Sequence, residues 1–213
     1  MAIGEIAQTV LGIQSPFVTR VAIDGVDGAG KTVFADELAR RLEAFGAKVI
    51  RASVDGFHHP RSVRYRRGRY CPKGFHHDSY DYQALEQALL EPLSPGGSGQ
   101  FIPAVFDHRT DTPVRMSPRQ ASAGDILVFD GIFAHRRELR GYWDLSVFLE
   151  VPFETSVRRL GWRDGTSPDP DAPLNRRYIE GQLLYLSECS PADRATVVVD
   201  NSELGSPRIL RYG

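Results

Sequence analysis

The sequence predicts an α/β fold: a doubly wound, mainly parallel five-stranded sheet with helices on both faces and a short lid. Short β-branched runs alternate with helix-like stretches, the order that parallel strands covered by helices produce. Those runs are nearly continuous in apolar character, as strands buried on both faces are. A glycine-rich turn between the first strand and the first helix marks the working end of the sheet.

In chain order, strands are expected at residues 17–24, 48–55, 125–130, 145–151 and 195–200. Over residues 32–45, Phe34, Leu38 and Leu42 recur at helical spacing, and Gly46 is a natural stop. Ser79 or Asp78 is expected to cap a helix through Tyr82, Leu85 and Leu89 that ends before Pro92. Two more helices, 153–162 and 175–188, flank residues 161–174 (GWRDGTSPDPDAPL), a lid loop or a surface insertion. Residues 93–100 (LSPGGSGQ) read as a flexible connector within one domain spanning 1–213.

The 213 residues carry 26 basic and 27 acidic side chains, a formal charge of −1. That balance excludes a general polyanion coat and an acidic disordered chain. Cys71 and Cys189 are too few for a disulfide framework and suit a reducing compartment. No apolar run approaches membrane-spanning length, and the first residues lack the cationic lead and long apolar core of a secretion signal. A cytoplasmic protein without a membrane partner is expected.

After the first strand comes Gly25-Val26-Asp27-Gly28-Ala29-Gly30-Lys31-Thr32, which fits G-x-x-x-x-G-K-[ST], the P-loop. Its glycines let successive N–H groups face phosphate oxygens at the positive end of the next helix. Lys31 brings a point charge to the β/γ-phosphates and the Thr32 hydroxyl is placed for Mg²⁺. ATP and Mg²⁺ are therefore the expected cofactors. A GTPase switch is not indicated, because the lone D-x-x-G lies inside this loop and no N-K-x-D exists. A small kinase with a hydroxyl-bearing acceptor fits better.

Ligands of open α/β sheets sit at the carboxyl ends of the strands. Asp130 closes ILVFD, a hydrophobic run ending in an acid, and is expected to hold Mg²⁺ or else to cap the next turn. Asp55 ends the second strand and is the expected base for the acceptor hydroxyl; such help is worth about 10²–10⁴-fold. Asp200 is expected to be structural or near the adenine. The pairs His58-His59 and His76-His77 are poor metal ligands if neighbouring side chains point apart. Residues 57–77 hold six basic side chains, with Tyr65 and Tyr70 among them and no acid. This insertion, 56–78, could grip a phosphorylated acceptor, contact single-stranded nucleic acid or be a solvated face. The near-zero net charge argues against nucleic acid.

The order of P-loop, Asp55-Gly56-Phe57, His77-Asp78-Ser79-Tyr80-Asp81, Asp130-Gly131-Ile132 and an arginine-bearing lid resembles the uridine kinase / phosphoribulokinase family of P-loop kinases. The resemblance implies a P-loop NTPase-type fold. It implies Asp55 as base, with Phe57 and His58 where nucleoside kinases carry Phe-Tyr. It implies Asp78 and Asp81 near a ribose, without the family's leading aspartate. It implies Phe106, His108 and Arg109 near a base, some of Arg158, Arg159 and Arg163 as lid arginines, with Arg159 and Arg163 the expected catalytic ones, and Gln182 as the late glutamine. The expected reaction moves the γ-phosphoryl group of ATP to a ribonucleoside such as uridine or cytidine. A sugar phosphate, pantothenate-like or other small alcohol is the enzymatic alternative, and a non-catalytic nucleotide-dependent regulator is the other. Homo-oligomers are common in the family. The Asp27–Lys31 run is also similar to that of thymidylate kinases, whose Pro-Gly-Gly-Thr segment is absent here.

Overall fold

The computed structural model describes residues 2–213; Met1, the first residue of the expected domain, lies outside them. The five expected strands form at Thr19–Gly25 (β1), Val49–Ser53 (β2), Ile126–Asp130 (β3), Leu145–Glu150 (β4) and Val197–Asp200 (β5). A sixth strand, Arg208–Tyr212 (β6), pairs antiparallel with β5, so the sheet has six strands in the order β6-β5-β4-β1-β3-β2. The other pairings are parallel. Exposed Arg208 and Arg211 interrupt the apolar residues of β6, a largely exposed edge strand rather than a buried run, and so it escapes a search for continuous apolar strands.

Side-chain alternation divides β3 between two cores. Ile126 and Val128 join Val21, Ile23, Val147 and Val199 under two helices, Ala2–Leu11 (α1) and Lys31–Ala44 (α2). Leu127 and Phe129 face the other way, into a core with Ile50, Phe57, Leu85, Leu89 and Phe133. That second face is covered by Pro72–Asp78 (α3), Tyr82–Leu85 (α4, continued by a π turn over Glu86–Leu90) and Pro173–Cys189 (α6). Phe153–Asp164 (α5) precedes α6. No described helix is long and apolar enough to cross a membrane.

Three local expectations change. The segment read only for a secretion signal is α1, with Ile6 and Val10 fully buried. The cap of α4 is Asp81, whose carboxylate accepts from the Ala84 N–H at 2.9 Å. Ser79 instead donates to the Phe75 carbonyl at 2.6 Å, and Asp78 is held by arginines. Helix α5 runs on through Asp164, so much of the first part of the expected lid loop is helical. Parallel register sets Ser53 and Ile23 on either side of Asp130, bringing the carboxyl ends of β2, β3 and β1 to one edge. There β1 has partners running outward on both sides, the switch point where such sheets bind ligands.

Candidate active site

The loop from Gly25 to Thr32 turns between β1 and α2 through left-handed glycines. Gly28 has φ 77° and Gly30 φ 87°, and a Cβ at Gly28 would run into the Ser156 carbonyl. At Gly30 a Cβ would lie 2.6 Å from Leu204 Cδ2 and 2.9 Å from Asn201 Nδ2. The loop is braced from three sides. Asn201 donates to the Ala29 carbonyl at 2.7 Å. Gln182 on α6 accepts from the Asp27 N–H at 2.6 Å while its own amide donates to Tyr178. Asp24, fully buried, accepts from the Gly25 N–H at 2.7 Å, from His135 Nδ1 at 2.6 Å and from the Tyr185 hydroxyl.

Lys31 Nζ donates to the Val26 carbonyl at 2.9 Å and lies 4.0 Å from the Asp27 carboxylate. Burial raises the Asp27 pKa above the usual carboxylate range against the pull of Lys31. Thr32 donates its hydroxyl to Asp130 at 2.7 Å, and Arg51 holds the other Asp130 oxygen at 2.8 Å while pairing with Asp36. A hydroxyl and a carboxylate side by side at a glycine cradle form a hard-oxygen donor set that fits Mg²⁺. The loop itself, packed at Gly28 and Gly30 too closely against Ser156, Leu204 and Asn201 for any Cβ and opening into α2, fits a phosphate chain.

One cavity of about 430 Å³ brings together Asp27, Gly28, Gly30, Lys31, Thr32, Asp55, His58, His108, Asp130 and Arg163. Arg64, Tyr65, Tyr80, Asn175, Arg177 and Tyr178 line it as well. Asp55 sits exposed in the helical turn Val54–Phe57 that follows β2. His58 Nδ1–H donates to the Asp55 carbonyl at 3.0 Å, and its ring packs 4.4 Å from Tyr80 and 4.6 Å from His108. Burial pulls the His58 pKa down to about 4. The ring is therefore neutral near pH 7, with Nε2 a free acceptor.

The remaining expected residues lie elsewhere. Gly25 and Ala29 are buried in the frame of the loop, Phe57 is in the core, and Phe106 is buried in a two-residue ladder with Pro113. Arg109 is exposed outside the cavity. Asp78 is buried against Arg66 and Arg67 at 2.5 and 2.8 Å, and Asp81 caps α4. Arg159 is not on the cavity wall. Its guanidinium donates to the carbonyls of Gly28, Asn201 and Ser202 and so ties the P-loop to the segment after β5. Arg163 reaches the cavity with Asp164 beside it at 2.7 Å, whereas Arg158 lies over Trp162.

The two adjacent histidines of α3 do converge, against the expectation that they point apart, because they lie on a helix. Ligand atoms of His76, His77 and Glu188 fall within 4.8 Å of one another. Yet His76 Nδ1 lies 3.4 Å from the Arg136 guanidinium and Nε2 lies 3.0 Å from Glu188, so the ring already bridges a cation and a carboxylate. A dication there would sit beside Arg136. Sequence reasoning missed Arg51, Arg177 and Asn201. None stands in a motif, and each works through a partner more than 70 residues away.

Three comparisons agree with this geometry. A uridine kinase from Ureaplasma urealyticum is 25% identical over 156 residues, which is 72% of each chain. A possible uridine kinase from Bacillus stearothermophilus superposes with a TM-score of 0.73 at 25% identity, over 92% of this chain and 96% of that one. Phosphoribulokinase from Rhodobacter spheroides shares the fold with a TM-score of 0.60 at 17% identity, over 87% and 71%. The family model for phosphoribulokinase / uridine kinase matches residues 21–167, from within β1 to just past the end of α5. With the cradle and the Asp130 strand end inside that span, the chain belongs to the phosphoribulokinase / uridine kinase family.

Proposed function

We propose that the chain is an ATP- and Mg²⁺-dependent kinase that phosphorylates a hydroxyl of a small, ribose-sized molecule. The observation that carries this reading is the shared cavity: the phosphate cradle, the Thr32–Asp130 pair and Asp55 all open into it. Bound MgATP supplies the phosphoryl group and the charge neutralisation of the metal. Thr32 and Asp130 would hold the metal. Lys31 and Arg163 draw charge from the transferring group, and Asp55 orients the acceptor hydroxyl and takes its proton. Neutral His58 offers Nε2 to a second acceptor hydroxyl. A neighbouring hollow of about 300 Å³, lined by Gly30, Val33, Phe34, Leu204 and Pro207, suits the base of the donor.

The names of the relatives make a ribonucleoside the first acceptor to try, and the aromatic wall of Tyr65, Tyr80 and Tyr178 supports it. The placement of Asp78 and Arg109 outside the cavity favours a second reading, a non-nucleoside alcohol. Coupled ADP production over nucleosides, sugar phosphates and other small alcohols tests the proposal. Asp55→Asn is expected to keep nucleotide binding and lose at least about a hundredfold in kcat. An unchanged rate removes Asp55 from the reaction, and a wild type that binds ATP yet turns over with no acceptor supports a regulator instead.

A further inference from the structure

We infer that the acceptor carries an oxyanion, phosphate or carboxylate, and that Arg64 and Arg177 hold it on the wall formed by the basic arm and α6. The inference rests on the kinase reading, since it concerns the same cavity.

Arg177 is only 4% exposed, and no carboxylate pairs with it among the described residues. Its Nη1 donates to backbone carbonyls, the nearest being Arg69 at 2.9 Å, and its Nη2 to the Arg64 carbonyl at 3.2 Å. The guanidinium lies 5.0 Å from the Tyr65 ring centre and 5.7 Å from that of Phe75. No protein acceptor faces its Nε–H among the described residues. A buried cation without a counter-charge is costly, and fixed carbonyls offset only part of that cost. Burial accordingly lowers the Arg177 pKa.

Arg64 stands beside it with its side chain 11% exposed. Its one ionic partner is Asp111 at 3.1 Å, and its Nε is buried with no hydrogen-bond partner. Of the two guanidinium groups only Arg64 thus has a carboxylate partner. Of the cavity's other acids, Asp27, Asp130 and Asp164 have Lys31, Arg51 and Arg163 as partners, and Asp55 makes no ion pair with Arg64 or Arg177 among the described residues. Nor is the arm a uniformly solvated basic face. Arg66 and Arg67 are spent on Asp78, and Arg64 is the arm's one arginine on the cavity wall. Unspent N–H donors on rigid guanidiniums suit an oxyanion, and a neutral acceptor would leave these two cations with Asp111 alone.

The test begins with protein saturated with Mg²⁺ and a non-hydrolysable ATP analogue, so that added anions cannot report on the cradle. Inorganic phosphate and, separately, acetate are then titrated against a chloride control of equal ionic strength while Tm is followed. One anion is expected to raise Tm, and which one does so separates a phosphate ester from a carboxylic acid. In Arg64→Met and Arg177→Lys the half-saturating anion concentration should rise at least about tenfold, with the shift caused by the analogue unchanged. If Arg177→Lys fails to fold, Arg64→Met decides. No anion-dependent shift beyond chloride, or equal shifts in wild type and variants, overturns the inference and leaves the kinase reading standing. No shift from the analogue itself sinks the kinase reading and this one with it.

Discussion

At the scale of single residues, the site is read through protonation states. His58 is held neutral by burial, and its hydrogen bond to the Asp55 carbonyl does not undo this. Its folded pKa of about 4 lies below the ordinary value of 6.5. The unfolded chain therefore binds more protons between these two values, and stability falls as pH is lowered through that window. NMR titration of the ring should show a midpoint near 4, and the acid-side loss of stability should shrink in His58→Asn. A ring titrating near 6.5 would remove Nε2 as a dependable acceptor. This residue was legible in the sequence because it follows Asp55 in a recognisable run. Arg177 was not, since nothing local separates it from the neighbouring Arg176, which is exposed and paired with Glu180. A turn of helix decides between them, and that turn is set by tertiary packing.

Among the elements, α6 connects most of the site. Arg177 and Tyr178 line the acceptor side, Gln182 reaches the Asp27 N–H, and Tyr185 reaches Asp24 beneath the loop. The i, i+4 spacing of Tyr178 and Gln182 and the i, i+3 spacing of Gln182 and Tyr185 put these contacts on one helix face. The sequence showed this helix and its glutamine. It did not show that the amide would bind the P-loop backbone, because that requires knowing which helix lies under β1. Gln182→Leu leaves the half-buried Asp27 N–H without its acceptor and should cost about 1 kcal/mol in urea unfolding. The same variant should bind the ATP analogue more weakly, since the loop loses a brace. Weaker stability with unchanged nucleotide affinity would limit Gln182 to packing.

Over the whole molecule, the parallel core of the sheet was readable because buried strands announce themselves as continuous apolar runs, while β6 and α1 were not. Yet Ile3, Ile6 and Val10 follow helical spacing, and the sequence carried that signal in a segment weighed only for export. The consequence is energetic. Ile6 and Val10 share one core with Leu38 and Leu42 of α2 and with Val21 and Ile23 of β1, the two elements that frame the P-loop. Leu89 belongs to the opposite core, and β3 contributes side chains to both. If the sheet couples the two faces, Ile6→Ala and Leu89→Ala should each cost about 2–5 kcal/mol. Each should lower the urea midpoint of a single transition with the slope unchanged. A two-step curve in Ile6→Ala, with the nucleotide-dependent shift confined to one step, would show that the α1–α2 face unfolds by itself. In that case the P-loop would owe its geometry to one layer of the protein and not to the sheet as a unit.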